Sequence, residues 1–147
     1  MQSLLPWKTI LLRIVAVALM TGCAASGPPF TGVPPVGTDT GQIIVFRPDT
    51  LFQGGIAYQV NIDGQQAVVL KSGGFSVIDV KPGSRVIGVR AASWMQTLFR
   101  NPELTLNVMS RERTFVRVTP TRGNTVTLEV VLETQALSEL KMIVESK

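Results

Sequence analysis

The sequence predicts an all-β fold: a single antiparallel β-sandwich of about seven or eight strands with a short C-terminal helix. Three observations predict it. From Gly41 onward, runs rich in β-branched residues alternate with turn signals at short intervals. Asp63-Gly64 and Lys81-Pro82-Gly83 fall between such runs, where tight turns belong. Near the end, Ala136, Leu137, Leu140 and Val144 recur at helical spacing.

Taken in order, Gln42 to Arg47 reads as the first strand and stops at Pro48-Asp49. Phe52-Gln53-Gly54-Gly55 is a loop. Ala57 to Ile62 is the second strand, with Tyr58, Val60 and Ile62 alternating against Gln59 and Asn61. Asp63-Gly64 is the clearest hairpin signal, because glycine tolerates the positive φ such a turn needs. Ala67 to Leu70, Phe75 to Val80 and Arg85 to Ala91 follow as strands, separated by Lys71-Ser72-Gly73-Gly74 and Lys81-Pro82-Gly83. Leu104 to Val108 and Thr114 to Val118 are expected to bracket Met109 to Arg113 as a further hairpin, and Thr125 to Leu132 is the last strand. A helix from about Thr134 to Val144 would turn Ala136, Leu137, Leu140 and Val144 to the core.

Composition excludes several kinds of chemistry. The 147-residue chain has one cysteine and no histidine. Ser-His-Asp and Cys-His catalysis are therefore impossible, as are zinc sites built on Cys and His, and no internal disulfide can form. No metal or other cofactor is expected. Of the 14 Lys and Arg residues, Lys8 and Arg13 precede residue 23, which leaves 12 bases against 10 acids. That balance is too even and too scattered to suggest nucleic acid as a partner. Arg111, Arg113 and Arg117 could share one strand face, with Arg122 nearby, and read as a solvated strand edge kept soluble by charge.

The first 23 residues have the three parts of an export leader. Lys8 and Arg13 charge its beginning, Ile14 to Met20 is apolar, and small residues follow in Thr21-Gly22-Cys23. The apolar run is shorter than the roughly 20 residues a membrane span needs. The ending Leu19-Met20-Thr21-Gly22-Cys23 resembles the lipobox of bacterial lipoproteins, with Met20 where leucine is usual. That resemblance implies removal of residues 1–22 and acylation of Cys23, the sole cysteine, on its sulfur and new amino group. Ala24, not Asp, follows, which by the same resemblance favours the periplasmic face of the outer membrane. Ala24 to Thr40 is dominated by Gly, Pro, Ser and Thr and is expected to be a flexible tether. Fully extended it would reach on the order of 50 Å at about 3.1 Å per residue, holding the domain of residues 41–147 clear of the lipid.

A second resemblance covers nearly the whole domain. Gly41-Gln42-Ile43-Ile44-Val45-Phe46-Arg47-Pro48, Val60-Asn61-Ile62-Asp63-Gly64, Gly73-Gly74-Phe75, Val80-Lys81-Pro82-Gly83, Phe115-Val116-Arg117-Val118 and Val130-Val131-Leu132 with Ala136-Leu137 appear in that order. Together they resemble the DUF2846 family of bacterial lipoproteins, broadly similar to PEGA-type and carboxypeptidase regulatory-like β-sandwiches. The resemblance implies a β-sandwich at the cell envelope and no known activity. The bulky stretch from Trp94 to Pro102 departs from it.

Few residues qualify as sites. Ser138-Glu139-Leu140-Lys141 has the Ser-x-x-Lys spacing of penicillin-binding enzymes but neither companion motif, and reads as a surface helix. Asp63 and Asp79 could be paired carboxylates for acid–base work, but Asp63 is better explained by its turn and Asp79 by solvent exposure or a strand-edge contact. Trp94, Met95, Leu98 and Phe99 form either a lid on the core or an apolar patch for a partner. The expectation is a non-enzymatic lipoprotein that binds or supports another envelope protein; direct binding of peptidoglycan or a small envelope ligand is the alternative.

Overall fold

The computed structural model describes residues 24–91 and 100–146. Its organising element is β1 (Gly41–Arg47), in which every residue is buried. Alternate side chains of a strand point to opposite faces. Ile43 and Val45 join one apolar cluster, whereas Ile44 and Phe46 join another. A strand buried on both faces has no solvent side to show, which is why Ile43 to Phe46 at its centre is an unbroken apolar run.

β1 pairs antiparallel with β4 (Gly74–Val80) and parallel with β7 (Arg113–Thr121). With β8 (Thr125–Val131) and the two-residue β9 (Val144–Glu145) they make a sheet of order β8-β7-β1-β4-β9. The second sheet has the order β3-β2-β5-β6, from β2 (Tyr58–Ile62), β3 (Gln65–Leu70), β5 (Gly83–Ala91) and β6 (Glu103–Val108). Ile43, Val45, Val116 and Val118 of the first sheet pack on Tyr58, Val60, Ile87 and Val89 of the second. The fold is the expected all-β sandwich.

The expected detail needs three corrections. The pairing is not antiparallel throughout, since β1–β7 and β4–β9 run parallel. Leu104 to Val118 is not a hairpin: β6 pairs with β5 while β7 pairs with β1 and β8. The intervening turn carries the chain between sheets, with Arg111 at φ 64° and the Gln42 amide donating to the Glu112 carbonyl at 2.9 Å. β7 is consequently an inner strand, not the exposed edge assigned to Arg113 and Arg117. Finally, the helix α1 (Glu133–Leu140) is shorter than expected. Ala136 and Leu140 are buried as anticipated, and Leu137 packs partly beneath. Val144 instead joins β9, where the edge of β4 supplies backbone partners.

The segment from Ala24 to Thr40, expected as a free tether, is a strap lying along the domain. The Ala25 amide donates to Ser72, that of Gly27 to Glu145 and that of Phe30 to Ile143, at 3.0–3.4 Å. Phe30 meets Phe75 edge-on at 5.4 Å, and Val33 packs on the same cluster. Farther on, Arg113 donates to the Pro34 carbonyl, Gln42 to Pro35 and Ser110 to Thr38. The physical reason is a period of three: Gly27, Phe30, Val33 and Val36 are partly buried while their neighbours are mostly exposed. Polyproline II has about three residues per turn, so every third side chain shares a face. Gly27 permits the approach, because a Cβ there would come within 2.3 Å of the Glu145 carbonyl oxygen. The strap and α1 together cover Ile44, Phe46, Phe75 and Phe115, the outer face of the five-stranded sheet.

Candidate functional site

The leader, the lipobox residues Met20, Thr21 and Gly22, Cys23, and the cluster Trp94, Met95, Leu98 and Phe99 lie outside the described residues. Their flanks are informative. Ala24 is bridged to Ser72. Ala91 pairs with Tyr58, and the Arg100 amide donates to the Asn124 carbonyl at 3.3 Å. β1 ends, β2 starts, β3 ends and β4 starts at this same end of the sandwich, as their registers require. It is named the anchor end after the Ala24–Ser72 bridge that ties the strap down there.

A buried arginine organises the anchor end. Arg47 closes the apolar run of β1 and is fully buried. Its Nη1 donates to the Ile56 carbonyl and its Nη2 to that of Gln53 at 2.7 Å. The guanidinium stands over the Tyr58 ring, 4.5 Å from its centroid, a cation–π geometry. Burial pulls the Arg47 pKa below its ordinary value, although Tyr58 and Asp49 oppose the shift. Burial likewise raises the Tyr58 phenol, whose hydroxyl donates to Gln53 Oε1. Arginine suits this place because its planar fork reaches two carbonyls at once and is always charged.

These bonds fix the loop between β1 and β2. Gln53 adopts φ 55°, Thr50 Oγ1 donates to the Phe52 carbonyl at 3.0 Å, and the Ile56 amide donates to Gln53. Ser72 Oγ donates to Asp49 Oδ1 at 3.1 Å and accepts from the Thr50 amide at 3.4 Å. The loop therefore carries Leu51 wholly exposed and Phe52 half exposed on a rigid base. Beside it, Pro48, Asp49, Glu139, Met142 and Ile143 line a mainly apolar groove of about 250 Å³.

The remaining sites suggested by sequence are structural. Ser138 is exposed on α1 and donates to the Gln135 carbonyl at 2.7 Å, while Lys141 caps the helix end. Asp63 sits at the far end of the sandwich, bonded to the Val86 amide at 2.9 Å and to Arg85 at 2.8 Å. The Val86 amide, then Arg85, holds its carboxyl below the usual range. Asp79 is exposed on β4. Of the arginines, Arg117 bridges Glu139 of α1 and Glu129 of β8 at 2.8 and 2.7 Å, with its pKa raised chiefly by the bond to Glu129. Arg113 holds the strap at Pro34. The charges read as a stripe are thus largely spent within the molecule.

Sequence reasoning passed over Arg47, Leu51 and Ser72. The available signals were a cation directly after four apolar residues and a Leu-Phe pair inside a loop bounded by Pro48-Asp49 and Gly54-Gly55. Among the described residues, no helix is long and apolar enough to cross a membrane. Comparison with protein-family models, curated proteins and solved structures gives no match.

Proposed function

We propose that this protein is a lipid-anchored β-sandwich of the bacterial cell envelope that acts without catalysis, by binding or supporting another envelope protein. Acyl groups on Cys23 would hold it at the periplasmic face of the outer membrane after loss of residues 1–22. The observation that carries the reading is the lipobox-like Leu19-Met20-Thr21-Gly22-Cys23 ending on the sole cysteine of the chain. Several acyl chains make an effectively permanent anchor, since each buried CH₂ contributes about 0.8 kcal/mol. The ordered resemblance to DUF2846 lipoproteins is part of the same proposal.

A protein partner is favoured by the edge of the five-stranded sheet. β8 is its outer strand, with Val130 and Leu132 exposed at and just beyond its end. An edge strand with apolar side chains offers both backbone pairing and contact area to a second protein.

The test combines labelling and capture. Cells given an alkyne analogue of palmitate should label the wild-type protein and leave Cys23→Ser unlabelled. Cross-linking in cells should then recover one specific envelope protein with the anchored form. Absence of label from the wild type overturns the anchor. Recovery of cell wall alone overturns the protein partner and favours direct peptidoglycan binding.

A further inference from the structure

We propose that the anchor end faces the membrane itself, with Leu51 and Phe52 seated in the interfacial layer of the leaflet that holds the acyl chains of Cys23. The inference rests on the lipoprotein reading above and adds a second, non-covalent contact with lipid.

The first argument is position. Ala24 is bridged to Ser72, and the Ala25 amide donates to the Ser72 carbonyl at 3.1 Å. Cys23 is the next residue, and consecutive Cα atoms are about 3.8 Å apart. Acyl chains on Cys23 would therefore start one residue from the Ala24–Ser72 bridge, not at the end of a long spacer. Ser72 in turn bonds to Asp49 and to the Thr50 amide. Leu51 is the following residue, so lipid attachment point and loop tip issue from the same small area of surface.

The second argument is chemistry. Leu51 is wholly exposed and Phe52 half exposed, in a loop whose backbone is tied down by Arg47 through the Gln53 and Ile56 carbonyls. A loop so fixed presents its apolar side chains outward. The two carboxylates beside it are both engaged, Asp49 accepting from Ser72 and Glu139 from Arg117. Met142, also largely exposed, borders the groove on the same end with Pro48 and Ile143 and widens the apolar rim. Residues of this kind on a polar body insert at the headgroup–acyl boundary.

Lipid is the occupant these two facts select. Covalent chains at this end would hold a bilayer beside the loop, an effective concentration that a diffusing protein does not reach. The strap decides the matter: docked along the domain, it removes the slack that would let this end turn away.

The experiment uses the full chain, expressed with its leader and reconstituted after purification into vesicles of phosphatidylethanolamine and phosphatidylglycerol. Because Cys23 is the sole cysteine, Leu51→Cys and Asp79→Cys each add a single free thiol for a nitroxide label. Both positions are exposed, so neither variant disturbs packing. Collision with oxygen, which partitions into lipid, is compared with collision with a water-soluble nickel chelate. At residue 51 the oxygen-to-nickel ratio should be several-fold higher than at residue 79. Equal ratios overturn the proposal, placing Leu51 in water. Weak collision with both agents also overturns it, placing Leu51 beneath a protein. Labelling of the parent protein at Cys23 would show that the thiol carries no lipid, sinking the anchor reading and this inference with it.

Discussion

The two faces of β1 are closed by different means. Ile43 and Val45 face a second sheet, whose strands β2 and β5 come from the middle of the chain. Ile44 and Phe46 face pieces from its two extremes, the strap at Phe30 and Val33 and the helix at Ala136 and Leu140. The inner face is a sheet-on-sheet core, assembled by alternating patterns that repeat from strand to strand. The outer face depends on a segment with hardly any local structure of its own. Apolar run length alone therefore does not reveal what will cover a strand.

The largest effect should come from breaking the inner face. Ile43→Ala removes a fully buried side chain from the inter-sheet core. About 3–4 kcal/mol of stability should be lost, the usual range for emptying such a site. In urea the midpoint should fall with little change in slope, because the whole domain unfolds as one. An equal loss from the peripheral Val33→Ala would show that the two faces are not distinct.

Next comes the residue that ends β1. Arg47→Met keeps the length of the side chain but leaves the Gln53 and Ile56 carbonyls without their charged donor. Hydrogen bonds to charged groups contribute about 1.5–3 kcal/mol, so a loss of about 2–3 kcal/mol is expected. Hydrogen exchange should quicken at the Ile56 amide, which donates within this loop, before it quickens in β2. A variant as stable as wild type would mean that burial of the cation costs as much as its bonds return, the known alternative for interior charges.

The strap gives a smaller effect and a sharper contrast. Phe30→Ala removes one edge-on aromatic contact and part of the cover on Phe75. About 1–2 kcal/mol is expected for a half-buried aromatic side chain. Proteolysis should then cut between residues 24 and 40 while the two sheets stay intact. A free spacer would show no change in either quantity.

How much of this was legible follows from periodicity. Every strand from β1 to β8 announced itself through alternation or an apolar run between turn residues, and Asp63-Gly64 takes the positive φ values expected of it, 50° and 81°. β9 did not, because Val144 and Glu145 look like the end of a helix, and only the free edge of β4 makes them strand. Pairing direction was hidden too, since nothing local in Met109 to Arg113 says that the chain changes sheets there. The strap was misread for a specific reason. Its apolar residues recur every third position, a spacing that tests for strand and helix periods both miss. As for the candidate site, the lipobox-like motif is local and readable, whereas the closeness of Ala24, Ser72 and Leu51 depends on long-range pairing.

The smallest effect contrasts the two ends of the sandwich. At the far end, Asp63 holds its hairpin to β5 from an exposed position, through the Val86 amide and Arg85. Its carboxyl is held below the ordinary value of about 3.9, so the folded state favours the ionised form. That contribution is present above the ordinary value and is lost as the pH falls through the depressed one. Asp63→Asn is the informative variant, because asparagine tolerates the left-handed backbone and can still accept from Val86. The gap in melting temperature between wild type and Asp63→Asn should be small near neutral pH. It should shrink in added salt, as exposed ion pairs do. As the pH falls below the ordinary carboxylate value and through the depressed one, it should close because Asp63 itself becomes neutral. A gap that persists unchanged into acid would assign the hairpin's stability to the shape of the side chain and not to its charge, so that this end, unlike the one built on the buried Arg47, would not depend on an ionic group.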